Sequence, residues 1–192
     1  MNNQRVNNDP LEARRSAIAW ARALVTQGDY AICDTETSGM TNDGEVIEVA
    51  ILSCDGKQWV QQRVRPKNPI SRDATLVHGI SDAVMNLAPY YNEIHSWLYR
   101  ILGPSLTIFY NAAFDLRLLG QTATLYGLSS PIGVSDCAML QYSKFCGSWN
   151  DYRGDWRWQK LPALPGQRAH SALADCRSTL AVIRQMAGAK DE

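Results

Sequence analysis

The stretch Ala31–Gly39, AICDTETSG, constrains the fold more than any other. It begins as an apolar run and ends on two carboxylates, Asp34 and Glu36, two positions apart. In a strand that spacing points both side chains to the same side. Like charges held so close repel and desolvate each other, an arrangement rarely sustained without a compensating cation. The stretch therefore reads as a buried strand whose C-terminal end carries a cation site.

The pattern around it is that of a mixed α/β protein. Asp9-Pro10 reads as N-cap and first residue of a helix to about Gln27, stopped by Gly28. Leu11, Ile18, Ala21 and Val25 supply its apolar stripe, and its expected place is the outside of the domain. Strand signals follow at 30–35, 46–53 and 59–65, with Asp55-Gly56-Lys57 as the hairpin between the second and third. A short helical patch near 73–87 and a longer helix over 90–102 come next, closed by Gly103-Pro104. A fourth strand at 105–110 turns directly into a helix, and a fifth, short strand at 133–136 does the same. Residues 146–169 read as a loop dense in Trp, Gly and Pro, before a last helix over 171–187. An antiparallel hairpin thus stands beside parallel strands in one sheet flanked by helices. The expected organisation is a flexible tail over 1–9 and a single domain over 10–192, with a leading helix (10–27) and a core (28–187).

Composition narrows the function classes. Lys+Arg and Asp+Glu both number 19, so the formal charge is zero. That argues against a coat for long duplexes, which needs a large positive excess, but leaves other nucleic-acid enzymes open. Cys33, Cys54, Cys137, Cys146 and Cys176 form no C-x-x-C pair and read as reduced, mostly packed thiols. No apolar run approaches a membrane span, and the start, MNNQRVNNDP, lacks the apolar core of a signal peptide. A cytoplasmic location with no membrane partner is expected.

Two further acidic positions stand out. Asp115 falls in the first turn of the helix after strand 105–110, and Asp175 falls early in the last helix, five residues after His170. Ligands of α/β sheets gather at the carboxyl ends of strands, so parallel strands 30–35 and 105–110 would bring Asp34 and Asp115 to one edge. The last helix can lay Asp175 across the same point. Four carboxylates without a Cys or His pair favour Mg²⁺ or Mn²⁺ over zinc. Two such ions, about 3.5–4 Å apart, would clamp an in-line attack on a phosphodiester. His170 does not share a helical face with Asp175 and sits in the preceding loop, where an imidazole suits a general base near neutral pH.

Asp34-Thr35-Glu36-Thr37, His78-Gly79-Ile80, Asn111–Asp115 (NAAFD) and the pair His170 and Asp175 resemble, in order and context, the DEDDh, or DnaQ-like, 3′→5′ exonucleases. The resemblance covers residues 28–187. It implies a ribonuclease H-like fold, a five-stranded sheet with the second strand antiparallel to the rest. It implies metal ligation by Asp34, Glu36, Asp115 and Asp175, and His170 as the base. It further implies a terminal-nucleotide pocket in which Thr37 meets the 3′-OH, Met40 wedges against the last base, and Asn111 and Phe114 border the groove. The implied activity releases nucleoside 5′-monophosphates from single-stranded or frayed 3′ ends, with DNA favoured and RNA open. Beyond the nucleic-acid strand, the open alternatives for a partner are a polymerase, a repair complex or none. An endonuclease of the same fold and a non-catalytic module binding nucleic acid or a polymerase are the alternatives. His78 reads as a turn-fixing residue and His95 as an ordinary helix residue. The stretch SWNDYRGDWRWQK at 148–160 fits base stacking and loop pinning equally well. No surface declares an oligomeric state.

Overall fold

The computed structural model describes residues 9–167 and 170–190. The expected flexible tail lies outside these residues apart from Asp9, which caps the first helix, α1 (Pro10–Gln27). The Asp9 carboxylate accepts from the Leu11 N–H at 2.9 Å, Pro10 opens the helix, and Gly28, at φ 62°, ends it. Glycine adopts that left-handed turn without the steric cost a Cβ brings. The buried stripe is Ala17, Ile18, Ala21 and Leu24; Leu11 and Val25, expected to belong to it, are exposed. α1 packs on helices rather than on the sheet. The Arg14 guanidinium lies 3.9 Å from the Phe145 ring centre and donates to the Phe145 carbonyl.

The sheet is built from β1 (Tyr30–Thr37), β2 (Val46–Ser53), β3 (Gln58–Arg63), β4 (Leu106–Phe109) and β5 (Val134–Cys137), in the order β3-β2-β1-β4-β5. β2 runs antiparallel to both its neighbours, whereas β4 lies parallel to β1 and β5. This is the ribonuclease H-like sheet implied by the motifs. β1 and β2 are buried almost throughout, as their β-branched and aliphatic sequences require, and β3 is the more exposed edge.

Helices α3 (Tyr91–Leu102), α4 (Ala112–Leu125), α5 (Ala138–Cys146) and α6 (Ala172–Ala187) flank the sheet. α6 crosses β1 and β2, with the Cys176 thiol against the Ile32 and Ala50 carbonyls. The single helical patch expected over 73–87 is instead α2 (Arg72–His78) followed by a separate 3₁₀ turn (Asp82–Val84). Gly79, at φ 73°, ends α2 by turning left-handed. A small apolar cluster of Ile47, Ile70, Ile80 and Met85 holds this segment on β2. Within the Trp-rich stretch a hairpin of β6 (Trp149–Asn150) and β7 (Asp155–Trp156) replaces the expected loop. Trp149 and Trp156 meet edge to face at 5.0 Å, and that cross-strand pair fixes the register.

Candidate active site

The site begins where β1 outruns β4. The parallel pairing stops at Ile32, opposite Ile108, yet β1 continues to Thr37. Asp115, in the first turn of α4, occupies the place a longer β4 would have filled. It accepts from the Thr35 N–H at 3.1 Å and from the Thr35 hydroxyl at 2.8 Å. Asp34 and Glu36 share the opposite side of the strand from Thr35 by alternation. α6 brings Asp175 to that side, and Asp34, Glu36 and Asp175 each place a carboxylate oxygen within 4.8 Å of the others.

These groups are electrostatically frustrated. Burial first, then the charges of Asp115, Glu36, Asp175 and Glu48, push the Asp34 carboxyl well above the usual range. Burial raises Asp115 to about 7 against the pull of its Thr35 hydrogen bonds. Asp175 is raised by burial and partly restored by the His170 imidazole and backbone N–H. All can ionise together only if positive charge arrives. The donor set is oxygen throughout, which fits a hard divalent cation. Cys33 and Cys176 lie beneath the carboxylates, but burial and the adjacent negative charges raise both thiols, so they remain protonated.

Glu48 escaped sequence reasoning. It pairs with Glu36 across β1 and β2, is buried, and its carboxylate accepts from the Ala172 N–H that opens α6, at 3.4 Å. The available signal was an acidic residue inside the apolar run VIEVAILS.

The remaining expected residues surround one cleft of about 640 Å³, lined by Asp34, Glu36, Asp115, Asp175 and His170 and walled by Thr37, Met40, Asn111 and Phe114. His170 stands exposed at the rim in the left-handed region, at φ 57°, which non-glycine residues adopt rarely and often at functional sites. Its backbone N–H meets the Asp175 carboxylate. Thr37 is held on two sides, its hydroxyl donating to the Gly39 carbonyl at 3.2 Å and its own carbonyl lying 3.1 Å from His78 Nε2. Because His78 Nδ1 accepts from the Ile80 N–H, Nε2 carries the proton and donates. His78 thus fixes the turn and the pocket wall together. The loop beyond Thr37 doubles back so tightly that a Cβ on Gly44 would collide with the Gly39 carbonyl oxygen.

A mixed sheet with this acidic cleft at the end of its first strand defines a phosphodiester-cleaving nuclease. The family model for exonucleases of the RNase T type matches residues 31–183, and the chain belongs to that family. It is a 3′→5′ exonuclease, and exonucleases of this family depend on divalent metal. The chain is 34% identical over 174 residues to the uncharacterized exonuclease CP81 of Escherichia phage 186, covering 84% of this chain and 89% of that one. It is 28% identical to Exodeoxyribonuclease 10 of Escherichia coli K12, over 79% of this chain and 66% of the relative. A DNA polymerase III subunit epsilon-like protein of Rhodobacter capsulatus is 27% identical, but the match spans 25% of its length. Among solved structures, exonuclease X in complex with 5′ overhanging duplex DNA superposes with a TM-score of 0.56 at 25% identity, over 84% of this chain and 94% of that one. The nuclease domain of 3′hExo, bound to rAMP, shares the fold at 18% identity, with a TM-score of 0.55 over 82% of this chain and 92% of that one. Among the described residues no helix is long and apolar enough to cross a membrane.

Proposed function

We propose that residues 10–192 act as one exonuclease domain that removes nucleoside 5′-monophosphates from single-stranded or frayed 3′ ends, with DNA favoured. The observation that carries this reading is the convergence of the Asp34, Glu36 and Asp175 oxygens within 4.8 Å beside His170 in one cleft. Two Mg²⁺ or Mn²⁺ ions held by Asp34, Glu36, Asp175 and, through water, Asp115 would supply Lewis-acid activation of water and stabilise the departing oxygen. The imidazole of His170 takes the proton of the attacking water, and the contact of its backbone N–H with Asp175 keeps it beside the carboxylates. As the water oxygen bonds to phosphorus, the bond to the 3′ oxygen breaks. The departing 3′ oxygen takes a proton from solvent, which leaves the shortened strand with a 3′-OH. Thr37, Met40, Asn111 and Phe114 hold the terminal nucleotide; Thr37 is pre-set by His78 and Gly39, so little ordering remains when the strand enters.

DNA is favoured because the relatives include an exodeoxyribonuclease and a neighbour complexed with duplex DNA. The epsilon-like relatives support association with a polymerase or repair complex. The test is a labelled single strand, as DNA and as RNA, incubated with Mg²⁺, Mn²⁺ or EDTA. Products should shorten from the 3′ end, EDTA should stop release, and circular single strands should survive. Release that persists in EDTA refutes the metal mechanism, and cleaved circles refute the chain-end reading. His170→Ala should slow turnover by about 10²–10⁴-fold while Mn²⁺ binding persists; unaltered turnover would remove the base.

A further inference from the structure

The hairpin at 149–156 and the segment that leaves it divide their aromatic residues between two tasks. Trp149 and Trp156 pack against each other and hold the strands together. Asn150 closes the tip, its side chain accepting from the Tyr152 and Arg153 N–H groups and its carbonyl from Gly154. Those contacts account for the loop-pinning reading. They leave unexplained Trp158, 55% exposed, and Tyr152, almost wholly exposed. The Arg153 guanidinium lies 5.1 Å from the Trp158 ring centre.

This segment leads into the cleft. The Gln159 carbonyl accepts from the Tyr110 hydroxyl at 2.8 Å, and Tyr110 and Leu161 both line the cleft. Between Trp158 and Leu161 stands exposed Lys160, and residues 157–167 contain no acidic side chain. An exposed ring flanked by cations, continuous with a nuclease cleft, is the chemistry that grips a single strand irrespective of sequence.

We propose that this segment is a track for the strand upstream of the scissile bond. A base preceding the terminal nucleotide stacks on Trp158, and Arg153 and Lys160 meet the neighbouring phosphates. The proposal rests on the exonuclease reading and adds to it a gain in affinity with strand length.

The experiment compares KM in Mn²⁺ for a single strand of about ten nucleotides with KM for the 4-nitrophenyl ester of thymidine 5′-monophosphate, which carries no upstream nucleotide. In the unaltered protein the strand should bind about tenfold or more tighter than the ester. Trp158→Ala should erase most of that ratio, and Trp158→Phe should restore it to within about threefold, because a ring is kept. Lys160→Glu, which removes no ring from the hairpin, should reduce the ratio and flatten its salt dependence. A ratio unchanged in Trp158→Ala and Lys160→Glu overturns the track and leaves this surface to a protein partner. If the unaltered protein hydrolyses neither substrate, the exonuclease reading itself fails, a different result from an unchanged ratio.

Discussion

Two sets of carboxylates, one at the start of β2 and one gathered at the end of β1, are treated in opposite ways. Glu45, just before β2, is wrapped by fixed donors: the Lys67 N–H reaches both of its oxygens at 2.9 and 3.0 Å, the Asn68 N–H reaches one at 2.9 Å, and the Asn68 amide adds another contact. Asp34 has burial and four other carboxylates acting on it, all in the direction that opposes ionisation. The chain completes Glu45 with its own backbone. Around Asp34 it gathers like charges instead. The first arrangement stabilises the fold; the second stores unfavourable electrostatics that a bound cation would relieve.

Substitution should move the two sets in opposite directions. Asp34→Asn should reduce nucleotide release by about a thousandfold or more, yet raise the melting temperature of the metal-free protein by a few degrees. Glu45→Ala should do the reverse in kind, destabilising by about 2–4 kcal/mol as buried N–H groups lose their acceptor. Calorimetry in EDTA beside a nucleotide-release assay measures both, and stability changes of the same sign would break the comparison. Glu48 stands between the two sets, with one donor at Ala172 and two carboxylates, Asp34 and Glu36, nearby. Glu48→Gln keeps an acceptor for Ala172 and removes charge, so Mn²⁺ affinity or turnover should fall about 10–100-fold with little change in stability. A large loss of stability instead would place Glu48 with Glu45.

The smallest effect is a dependence on pH. The Asp115 carboxyl is raised to about 7 in the fold, above the roughly 3.9 of an unfolded aspartate. Its contribution to stability is therefore fully present below about pH 4 and is lost as pH rises through about 7. In EDTA, the stability of Asp115→Asn relative to the unaltered protein should grow across that window, by on the order of 1–3 kcal/mol. Urea unfolding at several pH values reads this directly. A flat difference would mean that Asp115 is already ionised without metal.

What was legible in the sequence was local. The cap and stop of α1 rest on Asp9, Pro10 and Gly28 within one helical turn of each end. The shared side of Asp34 and Glu36 follows from strand alternation alone. Residues 73–87 misled because helical propensity continued past Gly79, while the left-handed φ of that glycine decided the break. The hairpin at 149–156 was hidden because its register is set by two tryptophans facing across it rather than by alternating polarity.

The chain's own sequence determined the chemistry on offer: hard oxygen ligands at strand and helix ends, an imidazole ahead of α6, and the motifs that place it among exonucleases. Tertiary structure alone decided how those groups are shared out. Asp115 reaches Thr35 across 80 residues because β4 ends early, and Glu48 reaches Ala172 across 124 because α6 crosses β2. Strand register and helix crossing are non-local, so no window of sequence encodes which carboxylate will find donors and which will be left facing its own kind.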